Sequence, residues 1–189
     1  MKNFGPFPSY ADALEAACPM ILSKPNAVVG YLQDSNPDLA RRTATEYCAW
    51  LYYTPANLYE LSMLTDRSAP DDVVTGRKSC ALPTFVDDAR YASSDLKYII
   101  ALHNHPFGTQ ISERDMRFIE AMASIHEWVI TTRNHGQVLL SIVAFFSRSK
   151  DPEAPTCDGF YQYIPASRAM ARWTRIREKW KQEVIALPR

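Results

Sequence analysis

At 189 residues the chain suits one domain with its own core. Its 47% hydrophobic and 12% aromatic content excludes a disordered segment, and a formal net charge of zero argues against a general nucleic-acid binder, which carries a basic excess. No apolar run approaches the roughly 20 residues of a membrane span, and residues 1–10 lack the apolar stretch of a secretory leader.

In chain order, residues 9–23 read as a helix. Ser9 is placed to cap it, Leu14, Ala17, Cys18 and Ile21 share a face, and Pro25 stops it. A polar stretch over 33–42 leads to two β-rich runs, 46–53 and 58–65, joined by Thr-Pro-Ala-Asn as a hairpin. Residues 68–79 carry Pro, Gly and adjacent aspartates and read as a loop. A strand is expected over 96–103, with Ile99, Ile100 and Leu102 buried. A helix follows over 112–125, with Met116, Ile119, Met122 and Ala123 inward. Residues 128–133 and 137–146 read as two strands about Asn-His-Gly. Beyond a linker rich in Pro and charge at 150–157, a last helix is expected from about Ala166 to Leu187. Its apolar stripe is Ala169, Met170, Trp173, Ile176, Trp180, Val184 and Leu187. Arg168, Arg172, Arg175 and Lys179 form its basic surface, which suits docking on the core or an acidic partner. This order implies a mixed α/β domain with helices packed on a curved sheet. Cys18, Cys48, Cys80 and Cys157 are scattered with no C-x-x-C pair, so they read as reduced thiols of a cytoplasmic chain.

The chemistry concentrates at His103-Asn104-His105-Pro106 and Ser112-Glu113-Arg114-Asp115. Residues i and i+2 of a strand point to one side, so both imidazoles can face one point. Pro106 ends the strand, Gly108 lets the chain turn, and Ser112 opens a helix whose first turn carries Asp115 back towards the histidines. Two neutral imidazoles and a carboxylate leave a fourth position for water, the ligand set of a catalytic zinc site with one Zn2+ per chain. Taken alone, H-x-H is usually accidental and S-x-x-D is usually a capping box; their juxtaposition is the specific signal. His126, at a helix end, and His135, at a hairpin tip, have no such company and receive no role.

His103, His105, Pro106, Ser112 and Asp115, in this order and over about residues 40–147, resemble the JAMM (JAB/MPN) metalloproteases. The Asn between the histidines looks more like the bacterial branches than the eukaryotic deubiquitinases. The loop from His105 to Ser112 is one residue shorter than the family's common form. The resemblance implies a cytidine-deaminase-like JAB/MPN fold. It also implies a zinc peptidase or isopeptidase acting at the C-terminal tail of a ubiquitin-like protein, with a glutamate upstream as general base and Ser112 donating to the oxyanion. Glu46, at the start of the first sheet strand, is the favoured base, and Glu60 on the return strand competes. The expected organisation is an N-terminal helical segment (1–40), a catalytic core (41–147), and a linker with the basic C-terminal helix (148–189). Two other classes stay open: a hydrolase of the same type with a toxin-like or small substrate, and a metal-free scaffold, against which the intact ligand set counts.

Overall fold

The first expected helix forms as α1, Tyr10–Leu22, in the computed structural model, which describes residues 5–32, 34–67, 79–133, 136–151, 153–177 and 179–188. Ser9 caps it, its Oγ accepting the Asp12 N–H at 3.1 Å, and Ala13, Ala17, Cys18 and Ile21 are buried on one face. The polar stretch that follows carries a short helix not expected from its composition, α2, Pro37–Thr43. Asn36 caps it and Pro occupies its first turn.

The expected first hairpin is present as β1, Cys48–Tyr53, and β2, Tyr59–Leu61. Next come the motif strand β3, Lys97–Asn104, and helix α3, Glu113–Ile125, with Ile119, Met122 and Ala123 buried. The run at 137–146 divides in two. Its first part, β5, Gly136–Leu139, pairs with β4, Val129–Thr132, in a separate two-stranded sheet; its second, β6, Ser141–Phe146, lies parallel to β3. The break falls at Leu140, which is fully buried. A parallel neighbour needs a crossover, and α3 with the β4–β5 hairpin supplies it. His135 and residues 68–78 of the expected loop lie outside the described residues.

The C-terminal segment corrects the expectation of a helix. It forms β7, Gly159–Ile164, β8, Ala169–Ile176, and β9, Lys179–Ile185, which extend the main sheet to the order β2-β1-β3-β6-β7-β8-β9. The apolar residues at helical spacing also include β-favouring Trp173, Ile176, Trp180 and Val184. Arg168 and Arg177 adopt positive φ (50° and 47°), which breaks any helix at those points and reverses the chain before and after β8. The basic helical face proposed for an acidic partner therefore does not exist; Arg172 instead lies opposite Glu183 in the β8–β9 ladder.

β1 and β6 are buried along their whole length and β3 nearly so, because both sheet faces are covered. On one face Leu51, Leu102, Val143 and Phe145 pack with Ala17 and Ile21 of α1. On the other, Trp50, Ile142 and Ala144 pack with Ile119 and Met122 of α3. The chain is thus a mixed α/β structure with a seven-stranded mixed sheet between helices.

The cysteines give the second correction. Cys18 is bonded to Cys157 and Cys48 to Cys80, with Cα separations of 6.0 and 5.8 Å, so they are not four reduced thiols, and the argument from thiols to a cytoplasmic chain falls away. Spacing carried no sign of the pairing, because folding brings residues 139 apart together. No described helix is long and apolar enough to cross a membrane.

Candidate metal centre

Three side chains meet where β3 ends. His103 belongs to the strand, and His105 extends its pairing by one bond, its N–H donating to the Phe145 carbonyl at 3.1 Å. Both imidazoles are buried and emerge on the α3 side of the sheet. The chain then turns tightly, with Gly108 at φ +70° and its N–H donating to the His105 carbonyl. Buried Ile111 anchors the returning segment. Ser112 and Asp115 form a capping box: the Asp115 N–H donates to Ser112 Oγ at 3.3 Å, and the Ser112 N–H donates to Asp115 Oδ2 at 2.9 Å. The cap therefore aims the carboxylate at the histidines. Capping and ligand presentation are one arrangement here.

The separations suit a small cation. His103 Nε2 and His105 Nε2 are 2.9 Å apart. Asp115 Oδ2 is 3.4 Å from His105 Nε2, and Asp115 Oδ1 is 3.8 Å from His103 Nε2. A tetrahedral zinc with bonds of about 2.0–2.1 Å has ligand–ligand edges of about 3.3–3.4 Å, in the middle of that range. Among the described residues, these three form the group able to hold a metal ion.

The ring orientations favour the same reading. His105 Nδ1 lies 2.8 Å from the Thr109 carbonyl, which can only accept, so Nδ1 carries a proton and in the neutral ring Nε2 presents a lone pair. His103 is hydrogen-bonded to the Val143 backbone on its other side. The two Nε2 atoms, 2.9 Å apart, thus face one another and can share either a proton or a cation. Burial pushes His103 below the ordinary histidine range against the pull of Asp115. Burial acts the same way on His105, but Asp115, Glu46 and the Thr109 carbonyl outweigh it and its pKa rises. Burial would raise Asp115, yet the two imidazoles hold it well below the usual carboxylate range.

Glu46 lines the same cavity as His103, Asp115 and Arg114, and its charge acts on His105. Glu60, the competing candidate, faces elsewhere. It is buried and paired with Arg90 beside Asp88, opposite Tyr52, four residues along β1 from Cys48 and thus about 13 Å from the His103 end. Ser112 Oγ donates to Asp115 Oδ2 at 2.6 Å, so its proton is engaged on the ligand carboxylate. Phe107 packs with Val29, Ala40 and Leu32 instead of lining the cleft. His126 is structural: its ring stacks on Tyr98 at 4.1 Å, its Nε2 lies 2.8 Å from the Thr84 carbonyl, and burial keeps its pKa low.

Three contributors escaped the sequence reading. Thr109 was a loop residue, and its role is a backbone carbonyl that no side-chain motif announces. Asn104 looked like a spacer between ligands, but its side chain hydrogen-bonds backbone on both sides of Glu46. The Cys48–Cys80 bond forms part of the cavity wall with Ser79, Ala81 and Leu82. No family model, no curated protein and no solved structure matches this chain.

Proposed function

We propose that this protein is a zinc-dependent amide hydrolase of the JAMM type, a peptidase or isopeptidase acting on the C-terminal tail of a ubiquitin-like protein. The observation that supports it is the convergence of His103 Nε2, His105 Nε2 and the Asp115 carboxylate, with Glu46 in the wall of the same cavity. Bound there, zinc supplies Lewis-acid polarisation of a carbonyl and a lowered pKa for water.

The chain's own groups divide the remaining work. Glu46 takes a proton from the attacking water and delivers it to the leaving amine as the C–N bond breaks, giving a carboxylic acid and an amine. The Thr109 carbonyl fixes the His105 tautomer, and Ser112 orients Asp115. For Ser112 also to donate to the oxyanion, its hydroxyl turns from Asp115 towards the cleft. The cavity beside the ligands is small, about 160 Å³, and lined by Leu82, Phe118 and Ile142 as well as the polar set. Such a space suits an extended glycine-rich tail better than a bulky side chain, and an extended peptide can bind through its backbone.

The test has two parts. Protein purified without chelator should hold about one zinc per chain, and His103→Ala with His105→Ala should lose it. Stoichiometric zinc in that double variant would sink the site. The zinc-loaded protein is then incubated with ubiquitin-like domains that end in Gly and are fused to a short peptide, and intact mass is read. Zinc without cleavage of any fusion would remove the ubiquitin-like substrate while leaving the metal centre standing.

A further inference from the structure

The two edges of the main sheet differ. Outside β2, Phe7 exchanges both backbone hydrogen bonds with Tyr59, at 2.8 and 3.0 Å, so that edge is covered. At the other end β9 is the last strand, and among the described residues no strand lies beyond it. Such an edge presents backbone N–H and C=O groups to any strand that can approach. We propose that β9 pairs antiparallel with β9 of a second copy of this chain, about a two-fold axis through Gln182.

The sequence of β9 carries the choice of partner. Around Gln182, the run Lys179-Trp180-Lys181-Gln182-Glu183-Val184-Ile185 is complementary to its own reverse. Directly opposite residues in an antiparallel pair share a face, so Lys181 meets the partner's Glu183, and symmetry repeats the pair. On the other face Trp180 meets the partner's Val184, again twice. Val184 is 76% exposed in the single chain, an unusual position for an aliphatic residue in a strand, and this pairing covers it. Lys181, Gln182 and Glu183 are exposed as well.

Register is also specified. A slip that moves the axis to residue 181 sets Lys181 on the partner's Lys181, and one to residue 183 sets Glu183 on the partner's Glu183. Placing the axis between residues would oppose side chains from different faces. The inner side of β9 is already ordered for the contact. It pairs with β8 from Ile176↔Lys179 to Met170↔Ile185, and the Arg175 guanidinium lies 5.9 Å from the Trp180 ring centre. The dimer is one continuous sheet with both α1 helices on the same side. It does not depend on the metal centre.

Sedimentation equilibrium of the full chain over roughly 10–300 µM, a range that reads a micromolar Kd, tests the pairing. The wild type should pass from monomer to dimer. K181E and E183K each turn both cross-strand charge pairs into like charges, and each should weaken the dimer at least about tenfold. An equimolar mixture of K181E and E183K restores opposite charges at both pairs and should dimerise as the wild type does, which separates lost pairing from misfolding. A monomeric wild type at every concentration overturns the proposal, and means that the charges guard the edge. So does a dimer indifferent to both substitutions, or a mixture no tighter than its components.

Discussion

Asn104 holds Glu46 from both sides. Its Oδ1 accepts the Tyr47 N–H at 2.7 Å, and its Nδ2 donates to the Thr45 carbonyl at 3.1 Å and the Ala27 carbonyl at 2.8 Å. A fully buried residue between two metal-ligand candidates thus fixes the backbone that carries the candidate base.

Asn104→Ala leaves an N–H and two carbonyls without that partner, at a cost of about 2–4 kcal/mol of stability. Because both imidazoles remain, zinc content should change little while turnover falls. The paired measurement is denaturant unfolding with metal analysis. Complete loss of zinc in a folded Asn104→Ala protein would show that Asn104 supports the ligands rather than Glu46.

Glu46→Gln keeps size and hydrogen-bonding capacity but removes the base. It should retain zinc and lose about 10²–10⁴-fold in turnover. Glu60→Gln should do the reverse, keeping turnover and losing stability, because the buried Glu60 carboxylate is paired with a half-exposed Arg90. Full activity in Glu46→Gln with a dead Glu60→Gln would exchange the two roles.

The cysteine pairing is open to direct titration. Protein unfolded without reductant should show essentially no free thiol, against four per chain after reduction. Replacing Cys18 and Cys157 together by Ser should cost about 2–4 kcal/mol, since that bond closes the longer loop. Four titratable thiols in the unreduced protein would restore the reading of reduced cysteines.

Asp88 gives a pH dependence with a definite sign. Hydrogen bonds from Arg90 lower its pKa to about 2, opposed by burial and helped by the Tyr52 hydroxyl at 2.9 Å. A depressed carboxylate contributes stability above its unfolded value near 3.8, and that contribution is lost as pH falls towards 2. With Arg90 about half exposed, the gain is about 1–2 kcal/mol. The stability gap between wild type and Asp88→Asn should therefore narrow between pH 7 and pH 2.5. A gap that stays constant would mean the carboxylate's charge contributes nothing.

What the sequence disclosed follows the range of the forces involved. His103 and His105 share a side because strand geometry repeats every two residues, and Asp115 turns back because a helix start fixes its third residue. Both rules are local. The same holds for α1, whose cap at Ser9 and buried Ala17 and Ile21 stand where the pattern puts them. The C-terminal segment fits two periods at once, since Trp173, Ile176, Trp180 and Val184 can stripe a helix or furnish a pair of strands. The edge that β7 offers to β8 decides between them, and that is a tertiary fact. Asn104 was hidden differently: its partners, Ala27 and Thr45, lie some 60 to 80 residues away in the chain.

The bond between Cys18 and Cys157 makes a covalent ring of most of the chain, with the Cys48–Cys80 ring nested inside it. A protease that cuts once anywhere between residues 18 and 157 therefore yields no separable fragment. Glu46, the two histidines and Asp115 stay on one covalent object, and the nick shows on a gel only after reduction. The larger ring cannot close until Cys157 has left the ribosome. That is 139 residues after Cys18, so α1 is bonded to Cys157 only after Glu46, both histidines and Asp115 have been made.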